Sequence, residues 1–445
     1  MNLFDGVLTR GPVPELVGDD AWIGAMLAAE VALAAAEAEV GIAPADVAEA
    51  IAAAAAHAST FDPAALGRDA AGAGNPVVPM VRALTARVRE AAGDEAAGWV
   101  HYGATSQDIL DTATALVLRD ALGAIEQDLR SAADVAAGLA DEHRGTLMAG
   151  RTLLQQALPT TFGLKAAGWL WALHDAANAV DDAAATLPAQ LGGAAGTLAS
   201  LGADGLAVVD AYARLLGLAD PALSWHTNRL PLIEAVLPVA VAAGVAGKVA
   251  LDITLLAQTE VGEVAEVAPG RGGSSTLPHK RNPVAAIAAR AAAAQTPGLV
   301  ATLLTAMPQE HERAAGAWHA EWRPLRELLI TGGAAVSWLG ESLRTLVIDA
   351  DAMCANLDRT GGLLLAERLS TALQPTLGRL KAHDLVEEAS KIAMADGRPL
   401  VDVLLDTPPV TEALGVDGVR KLFDPSDYLG SADAMIDRAL ARHRS

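Results

Sequence analysis

The most chemically informative stretch of the sequence is a loop rich in glycine and serine that ends in a basic turn. It runs from Gly270 to Pro283 and reads GRGGSSTLPHKRNP. Within it, Ser274 supplies a hydroxyl, Lys280 an ammonium and Asn282 an amide. Successive exposed backbone N–H groups beside such donors can hold a carboxylate, and a mobile loop can close over it. The alternative, a flexible linker between two helices, does not account for the basic PHKRNP end of this Gly-Ser loop.

Two further segments combine glycine with hydroxyl, amide and imidazole groups. The first segment, residues 101–108, reads HYGATSQD, and the second segment, residues 150–155, reads GRTLLQ. Thr105 and Ser106, followed by Asp108 and Asp111, resemble the cap and the acidic first turn of a helix. We therefore expect the first segment to lie at a helix start.

The charge pattern of the chain bears on these segments. The 445 residues carry 32 basic and 54 acidic side chains, a formal net charge of −22. This argues against nucleic acid or an anionic membrane as a partner, because phosphate binding requires clustered Lys and Arg. Acidic residues are nevertheless missing from 267–309, 143–174 and 70–89, and each window holds at least three basic residues. Each window by itself could arise by chance, but the polar, Gly-containing segments beside them favour binding of a small anion.

Helical periodicity dominates the chain, and strand signals are nearly absent. Residues 20–40 form an amphipathic pattern, and longer helical patterns cover 111–143, 155–186, 232–268, 282–306 and 323–349. At about 1.5 Å per residue, the 111–143 helix would span roughly 50 Å. We predict an all-α protein of three parts. These are an N-terminal helical domain at 1–110, a central bundle of about five long helices at 111–354, and a small C-terminal helical domain at 355–445.

The remaining composition favours a cytosolic protein. A single cysteine, Cys354, excludes an internal disulfide and a Cys-rich metal site. The charge-free stretches 183–203 and 291–309 are long enough for a membrane span, but proline, glycine, glutamine or threonine interrupts each of them. The N-terminus lacks the basic start and apolar core of a signal peptide. We expect a soluble, cytoplasmic protein without a membrane or nucleic-acid partner.

The sequence motifs together resemble those of one enzyme superfamily. GSSTLPHKRNP is similar to the fumarase/aspartase signature GSSxMPxKxNP, with Leu277 in place of the usual Met. The first and second segments match the other two signature regions, and DPSDYLG at 424–430 resembles the C-terminal domain of the lyase and cycloisomerase branches. The likeness covers essentially the whole chain. It implies an all-helical, three-domain subunit in a homotetramer with a twenty-helix core, active sites built from three subunits, and no metal or cofactor.

The resemblance also implies roles for individual residues. The shared chemistry is anti elimination, or its reverse, through a dianionic aci-carboxylate intermediate. Ser274 would be the base, and Lys280 and Asn282 would stabilise the charge that develops on a substrate carboxylate. Because an unassisted serine is a poor base, loop N–H groups and Lys280 must lower its pKa. Substrate carboxylates would be held by the other matched residues, which are His101, Thr105, Ser106, Thr152 and Gln155.

One position departs from the usual superfamily pattern. Most of its lyases carry a histidine where this chain has Leu153, and that histidine helps to protonate the leaving group or to bind substrate. A leaving amine or hydroxide needs a proton, whereas a leaving carboxylate is already a stable anion. An apolar residue at this position resembles the 3-carboxy-cis,cis-muconate cycloisomerase branch. Three other segments resemble the same branch, namely AGNP at 73–76, SWHT at 224–227 and QEHER at 309–313. This resemblance implies a small tricarboxylate as the substrate.

Alternatives remain for two residues and for the function. His226 could bind a substrate carboxylate or could cap and pack a turn, and Arg313 could bind substrate or form an interhelical salt bridge. A C–N lyase acting on adenylosuccinate shares the PHKRNP end, although it lacks the Trp-His-Thr stretch. A non-enzymatic structural homologue, as in the lens, is the other alternative, and the intact Ser274, Lys280 and Asn282 argue against it.

Overall fold

Helices account for most of the regular structure. The computed structural model describes residues 3–273, 276, 277 and 280–444. The first ten α-helices are α1 (Asp5–Leu8), α2 (Val13–Leu16), α3 (Asp19–Val40), α4 (Ala45–Ala55), α5 (Pro63–Ala73), α6 (Val77–Ala97), α7 (Ser106–Glu142), α8 (Phe162–Ala185), α9 (Gly205–Leu216) and α10 (Leu230–Leu256). The others are α11 (Val284–Ala293), α12 (Thr296–Ala306), α13 (Ala317–Arg344), α14 (Ala350–Asp358), α15 (Ala366–Leu377), α16 (Arg379–Asp396), α17 (Leu400–Leu405), α18 (Pro408–Leu414), α19 (Val416–Lys421) and α20 (Ala432–Arg444). Short 3-10 turns occupy Ala58–Thr60, Ala199–Asp204, Leu363–Leu365 and Pro425–Tyr428.

One antiparallel hairpin and one antiparallel two-stranded ladder correct the sequence prediction. Strand β1 (Leu147–Thr152) pairs with β2 (Gln155–Thr161), and β3 (Val264–Glu266) pairs with β4 (Leu346–Ile348). The helix predicted at 155–186 therefore begins at Phe162, because Pro159 disfavours helix in the residue before it and Thr160 and Thr161 are β-branched. The helix predicted at 232–268 likewise ends at Leu256.

The all-α prediction is confirmed, and the long helices fall close to their expected positions. α7, α8, α10 and α13 are each continuous, whereas the pattern predicted at 282–306 is divided into α11 and α12. Pro297 lies in the first turn of α12, where its missing N–H group has no intrahelical partner to lose. The three-part division at 110 and 354 stays a prediction.

The chain forms two compact units, each assembled from separate stretches. Unit 1 comprises Met1–Arg130, Asp175–Lys248 and Ala288–Leu339, and unit 2 comprises Ser131–His174, Val249–Ile287 and Gly340–Ser445. Each unit therefore depends on long-range packing between parts of the long helices. Unit 1 contains the first segment, and unit 2 contains the second segment and the Gly-Ser loop.

Glycine and alanine let the helices of unit 1 approach closely. A Cβ atom added to Gly332 on α13 would lie 2.4 Å from Val239 Cγ1 on α10. One added to the neighbouring Gly333 would lie 2.8 Å from Val13 Cγ2. Both distances are shorter than any van der Waals contact, so larger residues would force these helices apart. The Ala-rich composition thus reflects tight helix packing.

Two carboxylates interrupt the apolar face of α3. Glu30 and Glu37 are 1% and 0% exposed, among buried residues such as Leu33 and Ala36. Neither oxygen of Glu37 accepts a hydrogen bond from the described residues. Burial, with a smaller contribution from the charge of Glu30, raises the pKa of Glu37 to about 8. Glu37 therefore carries a proton at neutral pH.

Three helical stretches are long and apolar enough to cross a membrane by length and composition. They are Asp19–Val40, Leu230–Leu256 and Val284–Ala306. The third overlaps the stretch 291–309 weighed in the sequence, whereas none of the three overlaps 183–203. In their most apolar windows, 56%, 44% and 33% of the residues are buried within the chain. Much of the apolar surface on the last two is therefore left uncovered by this chain. The absence of a membrane partner stays a prediction.

Replacement of Glu37 by Gln should stabilise the protein in a pH-dependent manner. In the unfolded chain, this carboxyl loses its proton near pH 4.5, but in the folded protein it keeps it up to about pH 8. Wild-type stability therefore falls as pH rises between these values, and E37Q avoids the loss. The gain in the free energy of unfolding should grow by up to about 1.4 kcal/mol per pH unit. Urea denaturation at pH 5, 6.5 and 8 measures it.

A matched control is available on the same helix. Glu39 is exposed and pairs with Arg214 at the surface, so E39Q should change stability by less than about 1 kcal/mol at every pH. A gain in E37Q that does not vary with pH would contradict the buried, protonated state of Glu37.

Candidate active site

Glu266 fastens the Gly-Ser loop to the helix that follows it. Its carboxylate accepts the backbone N–H groups of Ala285 and Ala286, each at 2.9 Å, and the Ser342 hydroxyl at 2.6 Å. The first turn of α11 has no intrahelical acceptor for these N–H groups, and a carboxylate there is also favoured by the helix dipole. Glu266 therefore fixes where the loop ends.

The base of the loop is closed by a contact between its two arms. The backbone N–H group of Asn282 donates to the carbonyl oxygen of Gly272 at 2.9 Å. Gly272 has a φ of +77°, and an added Cβ would lie 2.7 Å from the Asn282 carbonyl oxygen, so this position requires glycine. Lys280 is exposed beside this closure. Ser274, the predicted base, lies outside the described residues.

The second segment forms the tip of the β1–β2 hairpin. Thr152 and Gln155 are paired across the tip, and both side chains are exposed. Leu153 and Leu154 lie between them with φ values of +50° and +65°, in the left-handed region that is costly for residues with a Cβ atom. Leu153 is 97% exposed. The side chains of Thr152, Leu153 and Gln155 are thus all exposed at the tip of the hairpin.

A buried ion pair supports this hairpin. The guanidinium of Arg151 donates to both oxygens of Glu263, at 2.6 and 3.0 Å, and Glu263 is fully buried. The Asn356 amide donates to the same carboxylate at 2.8 Å. A bidentate pair of this kind fixes both distance and orientation. Arg151, which is part of the matched GRT sequence, therefore serves the hairpin.

A cavity of about 500 Å³ lies beside the hairpin in unit 2. Its lining includes Arg151, Leu153, Leu154, Lys165, Asp252 and Gln258. This volume lies in the range of small-molecule sites. The lining thus combines leucines with two basic side chains, one carboxylate and one amide.

The buried carboxylate of Asp108 organises the first segment. It is 0% exposed and accepts five hydrogen bonds. The donors are the backbone N–H groups of Thr105, Gly192 and Gly193 at 2.9 Å, the Gln190 amide at 3.2 Å and His226 Nε2 at 2.7 Å. A buried carboxylate is stable when its oxygens are fully hydrogen-bonded. Asp108 therefore joins three distant stretches of chain at one point.

His226 is part of this network. Its Nε2 contacts Asp108, its Nδ1 lies 3.0 Å from the Ser224 hydroxyl, and the residue is 3% exposed. Both ring nitrogens thus have partners inside the protein. This is the packing role that the sequence left open as the alternative to carboxylate binding.

Arg313 lies beside Thr105. Its guanidinium donates to the Thr105 hydroxyl at 3.0 Å and to the carbonyl oxygens of Ala194 and Gly193 at 2.9 and 3.4 Å. These acceptors are all neutral, and no salt bridge of Arg313 is present among the described residues. The interhelical salt bridge considered from the sequence is thus not formed there, and the positive charge is suited to an incoming anion.

His101 is held by a buried carboxylate. Its Nδ1 lies 2.7 Å from Glu30 Oε1, and its φ of +65° places it in the left-handed region. Burial lowers the pKa of His101, but the hydrogen bond and charge of Glu30, together with the charge of Asp108, outweigh it and raise the pKa above 6.5. The imidazolium form is therefore favoured more than in a solvated histidine.

The site residues predicted from sequence fall into two groups. Unit 1 holds His101, Thr105, Ser106, His226 and Arg313, and unit 2 holds Thr152, Gln155, Lys280 and Asn282. Sequence reasoning missed four carboxylates that position them, namely Glu30, Asp108, Glu263 and Glu266. Two of them could have been found from the sequence: Asp108 because it ends the first segment, and Glu30 because it is a charged residue on an otherwise apolar helix face.

Comparison with protein-family models gives two matches. A model described as lyase matches residues 15–298, and one described as adenylosuccinate lyase C-terminus matches residues 362–439. Together they span the first and second segments, the Gly-Ser loop and most of the C-terminal helices.

Individual proteins match over nearly the whole chain. A nitrosuccinate lyase from Streptomyces davaonensis is 48% identical, over 99% of this chain and 94% of its own length. A 3-carboxy-cis,cis-muconate cycloisomerase from Pseudomonas aeruginosa is 46% identical, over 100% and 97%. The crystal structure of the 3-carboxy-cis,cis-muconate lactonizing enzyme from Pseudomonas putida has a TM-score of 0.93 at 42% identity and covers 99% of both chains.

Replacement of Asp108 by Asn should disrupt the first segment. In Asp108, Oδ1 accepts three hydrogen bonds and Oδ2 accepts two. The NH₂ group of an asparagine is a donor, so at either position it would face other donors and lose those hydrogen bonds. We expect the free energy of unfolding to fall by about 3–5 kcal/mol. The midpoint of chemical denaturation measures this loss.

The matched control for D108N is D120N. Asp120 lies on the same helix but is exposed, where it pairs with Arg119, so its replacement should cost less than about 1 kcal/mol. Equal denaturation midpoints for D108N and D120N would show that the five hydrogen bonds of Asp108 are dispensable.

Proposed function

The chain belongs to the lyase family of the fumarase/aspartase superfamily, and from that premise we propose that it is a 3-carboxy-cis,cis-muconate cycloisomerase. It interconverts this tricarboxylate and 4-carboxymuconolactone, a step in protocatechuate degradation. The observation that carries the proposal is similarity over the whole length to several relatives and solved structures with this activity in their names. The mixed charged and apolar cavity beside the hairpin is compatible with such a substrate.

The proposed reaction is an anti addition of a carboxylate across a double bond. A substrate carboxylate oxygen forms a C–O bond with one alkene carbon, and the electron pair moves into the adjacent carboxylate to give an aci-carboxylate dianion. Ser274 then gives its proton to the neighbouring carbon. In the reverse direction, Ser274 removes that proton, the C–O bond breaks, and the carboxylate leaves. No metal or cofactor takes part.

Charge stabilisation is the main task of the protein in this scheme. Lys280 and Asn282 bind the carboxylate that becomes the aci-carboxylate, where fixed donors act more strongly than solvent. The other carboxylates are bound by Thr105, Ser106, Thr152 and Gln155, with Arg313 and His101 as cationic partners. His226 acts through Asp108, which holds Thr105 in place.

Leu153 supports a leaving group that needs no proton. Its side chain, on a fixed outward-facing tip, can neither give nor take a proton. An amine or hydroxide expelled there would lack a general acid, whereas a carboxylate leaves as a stable anion. This disfavours adenylosuccinate cleavage, despite the C-terminal match to adenylosuccinate lyase. The presence of Lys280 and Asn282, which could stabilise a developing negative charge, disfavours a purely structural role.

A nitrosuccinate lyase is the second candidate. The specific observation for it is the 48% identity to the Streptomyces protein. Nitrite, like a carboxylate, is a stable anion, so Leu153 is equally compatible with its departure. Ser274 would remove a proton next to one carboxylate, the C–N bond to the nitro group would break, and fumarate and nitrite would form. The two candidates thus share base and leaving-group class and differ in the carbon frame.

We also propose that the active enzyme is a cytoplasmic homotetramer with sites shared between subunits. Thr152, Gln155 and Lys280 are exposed in the single chain, and an enzyme must shield such groups from bulk water to use them. α10 and α11 carry exposed apolar side chains, including Val241 and Ile287. Packing of these helices against other copies would cover both features.

A direct assay separates the two candidate activities. We expect the ultraviolet absorbance of 3-carboxy-cis,cis-muconate to fall as its conjugated double bonds are lost, and 4-carboxymuconolactone to accumulate. Release of nitrite from nitrosuccinate, measured colorimetrically with the same preparation, should be at least about 100-fold slower in kcat/KM, equivalent to about 2.7 kcal/mol. The opposite ratio would establish the second candidate, and turnover of adenylosuccinate would contradict both.

Ser274→Ala should strongly reduce turnover while leaving substrate binding intact. Loss of a general acid–base group lowers kcat by about 10² to 10⁴-fold, whereas the carboxylate-binding residues are unchanged. Stopped-flow turnover and calorimetric titration with the lactone measure the two quantities. Ser275→Ala, the matched control, should retain most of the activity, and a loss confined to S275A would mean that the base is Ser275.

A further inference from the structure

We propose that Glu30 is a positioning residue that holds His101 with Nδ1–H toward the protein interior and Nε2–H toward a substrate carboxylate. The proposal rests on the proposed function, since it assigns a partner to one of its substrate-binding residues. The interaction is between α3 and the turn before α7, within unit 1.

The number of hydrogen bonds that Glu30 accepts distinguishes it from Asp108, which is buried, and from Glu266, which is partly buried. Asp108 accepts five hydrogen bonds, and Glu266 accepts three. Glu30 is 1% exposed, yet within the described chain its Oε1 contacts His101 and its Oε2 accepts no hydrogen bond. Burial of a carboxylate with so few donors opposes folding. A dedicated contact to one imidazole accounts for its presence better than stability does.

The backbone at His101 supports the same assignment. A φ of +65° is unusual for a residue with a Cβ atom, and such strain persists where the surroundings impose it. The turn is closed by the Tyr102 N–H group, which donates to the Trp99 carbonyl, and by the Tyr102 hydroxyl on the Ser200 carbonyl. The side chain of His101 is 20% exposed. One ring edge is therefore bound to Glu30, and Nε2 has no hydrogen-bond partner among the residues described.

Several charged or titratable groups surround this pair. Glu30 and Glu37 come from α3, Asp108 from α7 and Tyr212 from α9, while Arg313 lies at Thr105. Burial raises the pKa of Glu37 to about 8 and also raises that of Tyr212, so both are neutral at pH 7. The charges acting on His101 at this pH are chiefly those of Glu30 and Asp108, which favour the imidazolium.

An imidazolium fixed in this way is an oriented cationic donor. With Nδ1–H committed to Glu30, the second N–H lies in the ring plane on the opposite side. It can donate a charge-assisted hydrogen bond to an anionic oxygen, as can the nearby Arg313. Because the ring is already oriented, substrate binding does not have to immobilise it.

The test is Glu30→Gln, which keeps the shape of the side chain and removes its charge. NMR titration of the histidine ring signals should show that the pKa of His101 falls by about one unit or more. KM for 4-carboxymuconolactone at pH 7 should rise about tenfold, with kcat changed less than about threefold. The pH at which KM begins to rise on the alkaline side should move down with the pKa.

Two further variants separate positioning from general destabilisation. Glu37→Gln changes a buried carboxyl on the same helix that is already neutral at pH 7, so KM should stay within about twofold of wild type. His101→Asn retains a residue that tolerates the left-handed conformation, and E30Q should have no further effect on KM in that background. A folded E30Q with wild-type KM, or an equal effect of E30Q with and without His101, would overturn the proposal.

Failure of the proposed function gives a different result. If wild-type protein does not turn over 4-carboxymuconolactone, the proposed function is wrong, but the titration of His101 still reports on Glu30. An unchanged pKa of His101 in folded E30Q, with normal wild-type turnover, would refute the positioning role and leave the proposed function standing.

Discussion

The five hydrogen bonds to the carboxylate of Asp108 are the interaction on which the first segment depends. They join the start of α7, the stretch around Gly192 and the turn that carries His226, which are far apart in sequence. Two of the donors are backbone N–H groups of adjacent glycines, and an added Cβ on Gly192 would lie 2.5 Å from the Ser224 hydroxyl. A side chain at Gly192 would push the glycine stretch away from the turn that carries Ser224 and His226. The hydrogen bonds of Asp108 therefore require glycine at this position. Thr105 and Arg313 take their places from this network of hydrogen bonds.

In unit 2, carboxylates likewise position the second segment and the Gly-Ser loop by accepting hydrogen bonds. Glu263 fixes Arg151 under the hairpin, and Glu266 holds the end of the Gly-Ser loop at α11. In each case a buried or partly buried carboxylate accepts hydrogen bonds from several donors, and the neighbouring polar side chains are left exposed. A carboxylate suits this task because it accepts from several directions and forms strong bonds to N–H donors. The residues that contact substrate in the proposed scheme are thus positioned by residues that do not.

The acidic composition of the chain is consistent with an anionic substrate, because the carboxylates nearest the segments already have hydrogen-bond donors or a proton. Asp108, Glu263 and Glu266 are surrounded by donors, and Glu37 is protonated. In the described residues, the Arg313 guanidinium donates to the Thr105 hydroxyl and to two backbone carbonyl oxygens, so no carboxylate neutralises its positive charge. The net charge of −22 governs long-range behaviour, whereas binding of a tricarboxylate depends on groups within a few ångströms.

The sequence by itself determined the helical class, the approximate limits of the long helices and the family, because apolar periodicity and short motifs are local properties. It also located Leu153, whose apolar side chain limits the leaving group in the proposed reaction. Tertiary structure decided what the sequence could not: that residues 155–161 form a strand paired with β1, that both nitrogens of His226 are engaged, and that Glu30 faces His101 across 71 positions. Partners of buried carboxylates are set by long-range packing, and a single sequence contains no local signal for which distant donor a carboxylate will meet.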